Sequence, residues 1–169
     1  MIEDLLDLME SRRSIWDFTD EDVTDEQVEA MLKAAMAAPS VQDLAPWHFV
    51  VVRKRKQLNK LAQAQKRASV LEKAPMAIVV CGDQEISNRH WVEDTGAATQ
   101  NLLLAATAVG LGGAWIGLYP NKKRQKYVRE LLDIPDRMGV LCVVALGYPA
   151  KKKKARAKYD AERVHQESW

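Results

Sequence analysis

The stretch Ser11-Arg12-Arg13-Ser14 sets two adjacent guanidinium groups between hydroxyls. A guanidinium offers a planar fork of N–H donors, and with a second cation and a hydroxyl it suits a phosphate. Taken alone, the pair reads more simply as two surface arginines. A second candidate is GLGGAWIG, residues 110–117. It is not a dinucleotide-binding turn. The third glycine would have to stand at position 115, which is Trp115, and the run follows a helical stretch and leads into a strand, the reverse of the strand-to-helix turn that such a site needs. A helix cap accounts for Gly110 but leaves Gly112, Gly113 and Gly117 less well explained. Glycines at the start and end of a strand let a flat ligand lie against bare backbone.

Side-chain acid–base chemistry is poorly supplied. Histidine occurs only at His48, His90 and His165, no GxSxG elbow is present, and no two histidines have metal-ligand spacing. No catalytic side chain and no metal site are therefore expected, and an enzyme built on this chain would draw its chemistry from a cofactor. Cys81 and Cys142 sit in apolar, strand-like runs without a CxxC partner and read as reduced core residues. The basic clusters at 52–60, 121–126 and 151–158 read as solvated faces. With a net charge of +2 and no aromatic surface beside the lysines at 151–154, nucleic acid is not an expected partner. The amphipathic, acidic N-terminus is not a secretory signal, and no apolar run reaches membrane-spanning length, so the expectation is a cytoplasmic protein.

The elements that must position these residues follow from periodicity. At 169 residues, 47% hydrophobic and 28% charged, the chain is expected to form one domain. Ile2, Leu5, Leu6 and Met9 recur at helical spacing over residues 2–11. Thr24 and Gln27 fit a capping box, ahead of an apolar stripe of Val28, Met31, Leu32, Ala35 and Met36 that Pro39 ends. Strands are expected at 48–52, 76–81, 114–117 and 140–146, and helices at 57–71 and 122–132. A long helix of small and apolar residues should run from about 94 to 109 and stop at Gly110, with much of its surface buried. This order fits a parallel α/β fold and an α+β sandwich equally well.

In order along the chain, SRRSIWDFTDEDVTDEQVEAML, AAPSVQDLAPWHFVVV, APMAIVV, DTGAATQNLLLAATAVGLGGAWIG, ELLDIP, ALGYPA and YDAERVHQESW resemble the FMN-dependent nitroreductase family. The resemblance covers nearly the whole chain. It implies an α+β fold: a sandwich with a central, mostly antiparallel sheet flanked by helices, forming an intertwined homodimer with two FMN sites at the subunit interface. Residues 1–169 would be a single FMN-binding domain whose tail, from about 150 to 169, packs on the partner subunit. Arg12, Arg13 and Ser14 would hold the FMN phosphate and ribityl end, joined by Arg156 and Lys158. Pro39, Ser40 and Asp43 would reach the flavin edge from the other subunit. The strand end Ile116-Gly117 would give a backbone N–H to flavin N5, with Trp115 packed in the core. The implied activity is ping-pong hydride transfer, from NADH or NADPH to the flavin and then to nitroaromatics, quinones or similar small-molecule acceptors. The family also allows fragmentation or dehalogenation chemistry, or a flavin-binding protein without turnover.

Three positions depart from the family pattern. Trp16 stands where an arginine or lysine is common, near the pyrimidine edge of the flavin. Asp43 stands where asparagine is frequent, and Ala45 where glutamine is usual. Losing a cation and gaining a carboxylate there should disfavour the anionic reduced flavin, unless a cation from QKRAS (65–69) compensates.

Overall fold

β-Branched runs form three of the four strands of the sheet, as their composition suggests. In the computed structural model, which describes residues 2–151, 153–154 and 159–169, β1 (Trp47–Val52) pairs antiparallel with β2 (Met76–Asp83). β2 pairs antiparallel with β4 (Met138–Gly147), and β4 with β3 (Gly112–Gly117), so the strand order is β1-β2-β4-β3. β2 and β4 are buried along their whole length, which suits their largely apolar sequences, with Asp83 at the end of β2 the exception. β1 and β3 are the edges.

Helices cover both faces, giving the α+β sandwich. Met76, Ile78 and Val80 of β2 face a core shared with α2 (Asp25–Met36) and α4 (Trp91–Ala108) through Met31, Leu102 and Leu103. The alternate residues Ala77, Val79 and Cys81 face a second core, with Leu58 and Leu61 of α3 (Arg55–Leu61) and Val128 of α5 (Lys122–Leu132). The capping box of α2 is present: Gln27 N–H donates to Thr24 Oγ1 at 3.2 Å, and Thr24 N–H to Gln27 Oε1 at 3.0 Å. Asn101 of α4 ties α2 down, its side-chain amide donating to the Ala34 carbonyl at 3.0 Å.

The start of α4 is fixed by close approach. Gly82 and Gly139 are register partners on β2 and β4, and a Cβ at Gly139 would lie 2.5 Å from the Trp91 ring. The bare backbone of the pair is the seat for Trp91, and so sets where the first turn of α4 falls. The helix ends as its sequence suggests, with Gly110 in the left-handed region at φ +82°.

One expected element differs. Residues 57–71 are not a continuous helix. α3 ends at Leu61 and is followed by two 3-10 turns, Ala62–Ala64 and Lys66–Glu72, separated by Gln65 in fully extended geometry. The break has a cause in the neighbouring strand: the extended Gln65 reaches across and donates to the Gly117 carbonyl at 2.7 Å.

Candidate functional site

The segment after α1 (Ile2–Ser11) runs extended along the outer edge of β3. Ser14 forms a parallel bridge to Gly113, and Ile15 N–H donates to the Gly113 carbonyl at 3.0 Å. An extended chain alternates its side chains. Arg13 and Ile15 accordingly line one cavity of about 670 Å³, with Lys151, Lys153 and Tyr148. Trp16 lines a different cavity of about 560 Å³, with Arg67, Ser69, Val70 and Lys73. The alternation puts Ser14 on the Trp16 side, so the Arg13 side chain faces away from it. Arg13 donates to the Lys154 carbonyl at 3.3 Å, and Lys153 Nζ to the Ser14 carbonyl at 3.0 Å, which draws the start of the tail over this segment. Arg12 is half-buried at the end of α1. Arg156 and Lys158 lie outside the described residues.

The other end of β3 is open. In an antiparallel ladder, residues alternate between pointing both backbone groups at the partner strand and pointing both away. The Gly113 carbonyl faces outward to Ile15, and Leu118 N–H bonds inward to the Leu141 carbonyl at 2.9 Å. By this alternation Ile116 faces β4 and Gly117 faces out. The outward Gly117 carbonyl takes the bond from Gln65, and the Gly117 N–H points to the same open edge. A Cβ built at Gly117 would meet nothing within 4 Å. Of the expected pair Ile116-Gly117, therefore, only Gly117 offers an outward N–H, and Ile116 is a buried core side chain. Trp115 is a correction. Expected in the core, it is 37% exposed: it lies on the same sheet face as Gly113, the face that α4 covers, but on the edge strand, while Ala114 and Ile116 are buried on the opposite face.

The turn between α2 and β1 is unusual. Gln42, Asp43 and Ala45 all have positive φ, at +53°, +56° and +44°. Left-handed backbone is costly for residues with a Cβ and persists where the surroundings over-determine it. Here the turn is laced by Asp43 N–H to the Ser40 carbonyl (3.1 Å), Leu44 N–H to the Val41 carbonyl (3.1 Å) and Ala45 N–H to Ser40 Oγ (2.9 Å). Because Ser40 Oγ is the acceptor, its own proton is left to donate elsewhere. Pro39 and Asp43 are exposed.

One chain does not bring all of these residues together. The turn carrying Ser40 and Asp43 leads into β1, whereas Gly117 ends β3 at the opposite edge of the sheet. Three strand spacings separate those edges, about 14 Å. Sequence reasoning passed over Gln65, Lys73 and Asp94. Gln65 carried no signal of its own, and Arg67 was visible as a cation of QKRAS that could compensate for Trp16. Among the described residues, no three His, Cys, Asp or Glu side chains gather as a metal site, and no helix is long and apolar enough to cross a membrane.

The nitroreductase family model matches residues 9–69 and 62–148. An Archaeoglobus fulgidus relative, provisionally named as an NADH dehydrogenase/NAD(P)H nitroreductase, is 44% identical across 99% of this chain and 100% of its own length. Among solved structures, an FMN-dependent nitroreductase from Clostridium difficile superposes with a TM-score of 0.91 at 33% identity, covering 97% of this chain and 99% of its own. A provisionally named nitroreductase from Desulfovibrio desulfuricans, solved in complex with FMN, gives a TM-score of 0.83 at 31% identity over 98% and 97% of the two chains.

Proposed function

The chain belongs to the nitroreductase family, and from that premise we propose an NAD(P)H-dependent FMN oxidoreductase acting on nitroaromatics, quinones or related conjugated electrophiles, its sites shared between two copies of the chain. The observation that carries this is the open end of β3: a bare glycine facing empty space, with an outward N–H. These residues fit FMN. A flat ring system needs a surface without side chains, and its anionic end needs donors such as Arg12 and Ser14. FMN supplies the hydride chemistry between NAD(P)H and the acceptor.

The chain's own residues bind and orient. Arg12 and Ser14 hold the phosphate end, with Arg156 and Lys158 of the tail as further cations, while Arg13 secures the tail through the Lys154 carbonyl. Gly117 N–H is aimed at the ring edge, and Gln65 keeps that strand end in place by holding its carbonyl. Arg67 and Lys73 supply the positive charge that Trp16 does not. Ser40 and Asp43 come from the partner, since their own chain's open strand end lies across the sheet.

A homodimer is supported by what a single chain leaves uncovered. Leu5, Leu6 and Met9 form the apolar stripe of α1, yet all three are exposed. The tail residues Tyr159, Val164 and Trp169 are exposed as well, so a tail from about 150 to 169 that packs on the partner, within one domain of 1–169, would bury them.

Titration of the apoprotein with FMN tests this reading, with one FMN per chain and a dimer by light scattering expected. Arg12→Ala should weaken FMN binding by about tenfold or more, the loss of a charge-assisted hydrogen bond. Failure to bind FMN, or a fully loaded monomer, would defeat the proposal.

A further inference from the structure

We propose that Asp94 is a positioning residue, whose buried carboxylate holds the left-handed turn at 42–45 against α4 so that Ser40 and Asp43 meet the partner's cofactor in one geometry. This rests on the shared FMN site argued above.

The turn cannot be held by burial, since residues 42–45 are all exposed. Three of its bonds run within the turn itself and close it locally without saying where it sits. Two ties reach beyond it. On the far side, the Pro46 carbonyl accepts from Asp83 N–H at 2.8 Å, which anchors the entry to β1. On the near side, Val41 N–H donates to Asp94 Oδ1 at 3.0 Å. Asp94 is 4% exposed, and its second oxygen accepts from Ser87 Oγ at 3.2 Å, so the carboxylate is itself held in place. Its position along α4 is set by Trp91, seated on Gly82 and Gly139 one turn earlier. A run of contacts thus leads from the sheet through Trp91 and Asp94 to the strained turn.

A carboxylate is not needed there for helix formation. Glu93 already supplies an acid to the first turn of α4, and that residue is exposed and paired with His90. Burying a second acid costs free energy unless its hydrogen bonds are made, and here they go to a neighbouring serine and to the turn. The three left-handed residues store strain that an untethered turn would release by moving.

The test is FMN affinity in the full-length dimer, measured by fluorescence quenching, together with KM and kcat for a quinone acceptor. Asp94→Ala should raise the FMN Kd by about tenfold or more, from the loss of a hydrogen bond to a charged group. Asp94→Asn keeps an oxygen for Val41 N–H and should stay within about threefold of wild type, a rescue that general loosening of α4 would not produce. Should Asp94→Ala not fold, Val41→Pro decides. It removes the donor and leaves Asp94 and Ser87 in place, and Ser40, at φ −137° and ψ 155°, already has the extended backbone that a following proline requires. Wild-type affinity in folded Asp94→Ala or in Val41→Pro overturns the inference, as does an Asp94→Asn variant as weak as Asp94→Ala. If Arg12→Ala is impaired while Asp94→Ala is not, the inference alone fails. A wild-type protein that binds no FMN overturns both.

Discussion

Gly117→Ala separates what the fold needs from what the cofactor needs. In the protein alone the added methyl has no neighbour within 4 Å, and the Gly117 backbone is not in the left-handed region. Replacing glycine by alanine in a strand ordinarily stabilises by roughly 0.5–1 kcal/mol, because the unfolded chain loses freedom. For a chain of 169 residues that is a melting temperature unchanged or raised by about 2–4 °C. The neighbouring Gly113 behaves in the opposite way. Its Cβ would lie 2.7 Å from Leu103 Cδ2 and 3.2 Å from Leu146 Cδ2, so Gly113→Ala should cost about 1–3 kcal/mol by overpacking. If a flat ring lies over Gly117, the methyl occupies its space and lifts it from the outward N–H. Losing that hydrogen bond and the contact around it amounts to about 1.5–3 kcal/mol, tenfold to a hundredfold in FMN affinity. Thermal melts of both apoproteins and FMN titration of Gly117→Ala are the assays. A Gly117→Ala variant that melts like wild type and also binds FMN like wild type would show that the open end of β3 is not the cofactor's floor.

Charge near the ring should tune the flavin potential in two directions. Asp43→Asn removes an exposed carboxylate and should raise the two-electron midpoint by on the order of 20 mV, the equivalent of one solvent-screened contact, and an unchanged or lower value would count against its place at the site. Arg67→Gln should lower the midpoint by a similar amount, about 20 mV, if the cation beside Trp16 compensates for the missing one. No change on Arg67→Gln would remove Arg67 from that role. Burial pushes the Cys81 thiol from 9.0 up to about 12, only partly opposed by the charge of Arg129, and burial pushes Cys142 up as well. The fold therefore prefers the neutral thiol. That contribution is complete below pH 9.0 and is lost as pH rises toward about 12. In denaturant melts the stability gap between wild type and Cys81→Ala should narrow over that interval, and a gap that stays constant would contradict the assignment.

Local chemistry was legible, and long-range arrangement was not. Thr24 and Gln27 signal their capping box within four residues, and Gly110 its left-handed cap, because those interactions close inside one turn of chain. The unbroken apolar runs of β2 and β4 announce central strands, but nothing in them states that β4 lies between β2 and β3. Residues 57–71 have helical composition throughout, and the break at Gln65 arises from a carbonyl 52 residues away in sequence. Trp115 looked like core because of its size, whereas its place on an edge strand, which the local sequence does not announce, leaves it part exposed. Asp94 stands where an acid ordinarily complements the helix dipole, and that simpler role hides the bond to Val41. Of the residues proposed for the phosphate, Arg12 and Ser14 stay candidates, while alternation turns Arg13 to the other cavity.

The most direct test is anaerobic titration of the FMN-loaded protein with NADH and with NADPH, followed by addition of a quinone or a nitroaromatic. The yellow absorption should bleach stoichiometrically with at least one of the two donors and return when the acceptor is added. A protein that holds FMN but keeps its colour under excess of both donors would be a flavin-binding protein of this fold without the proposed turnover.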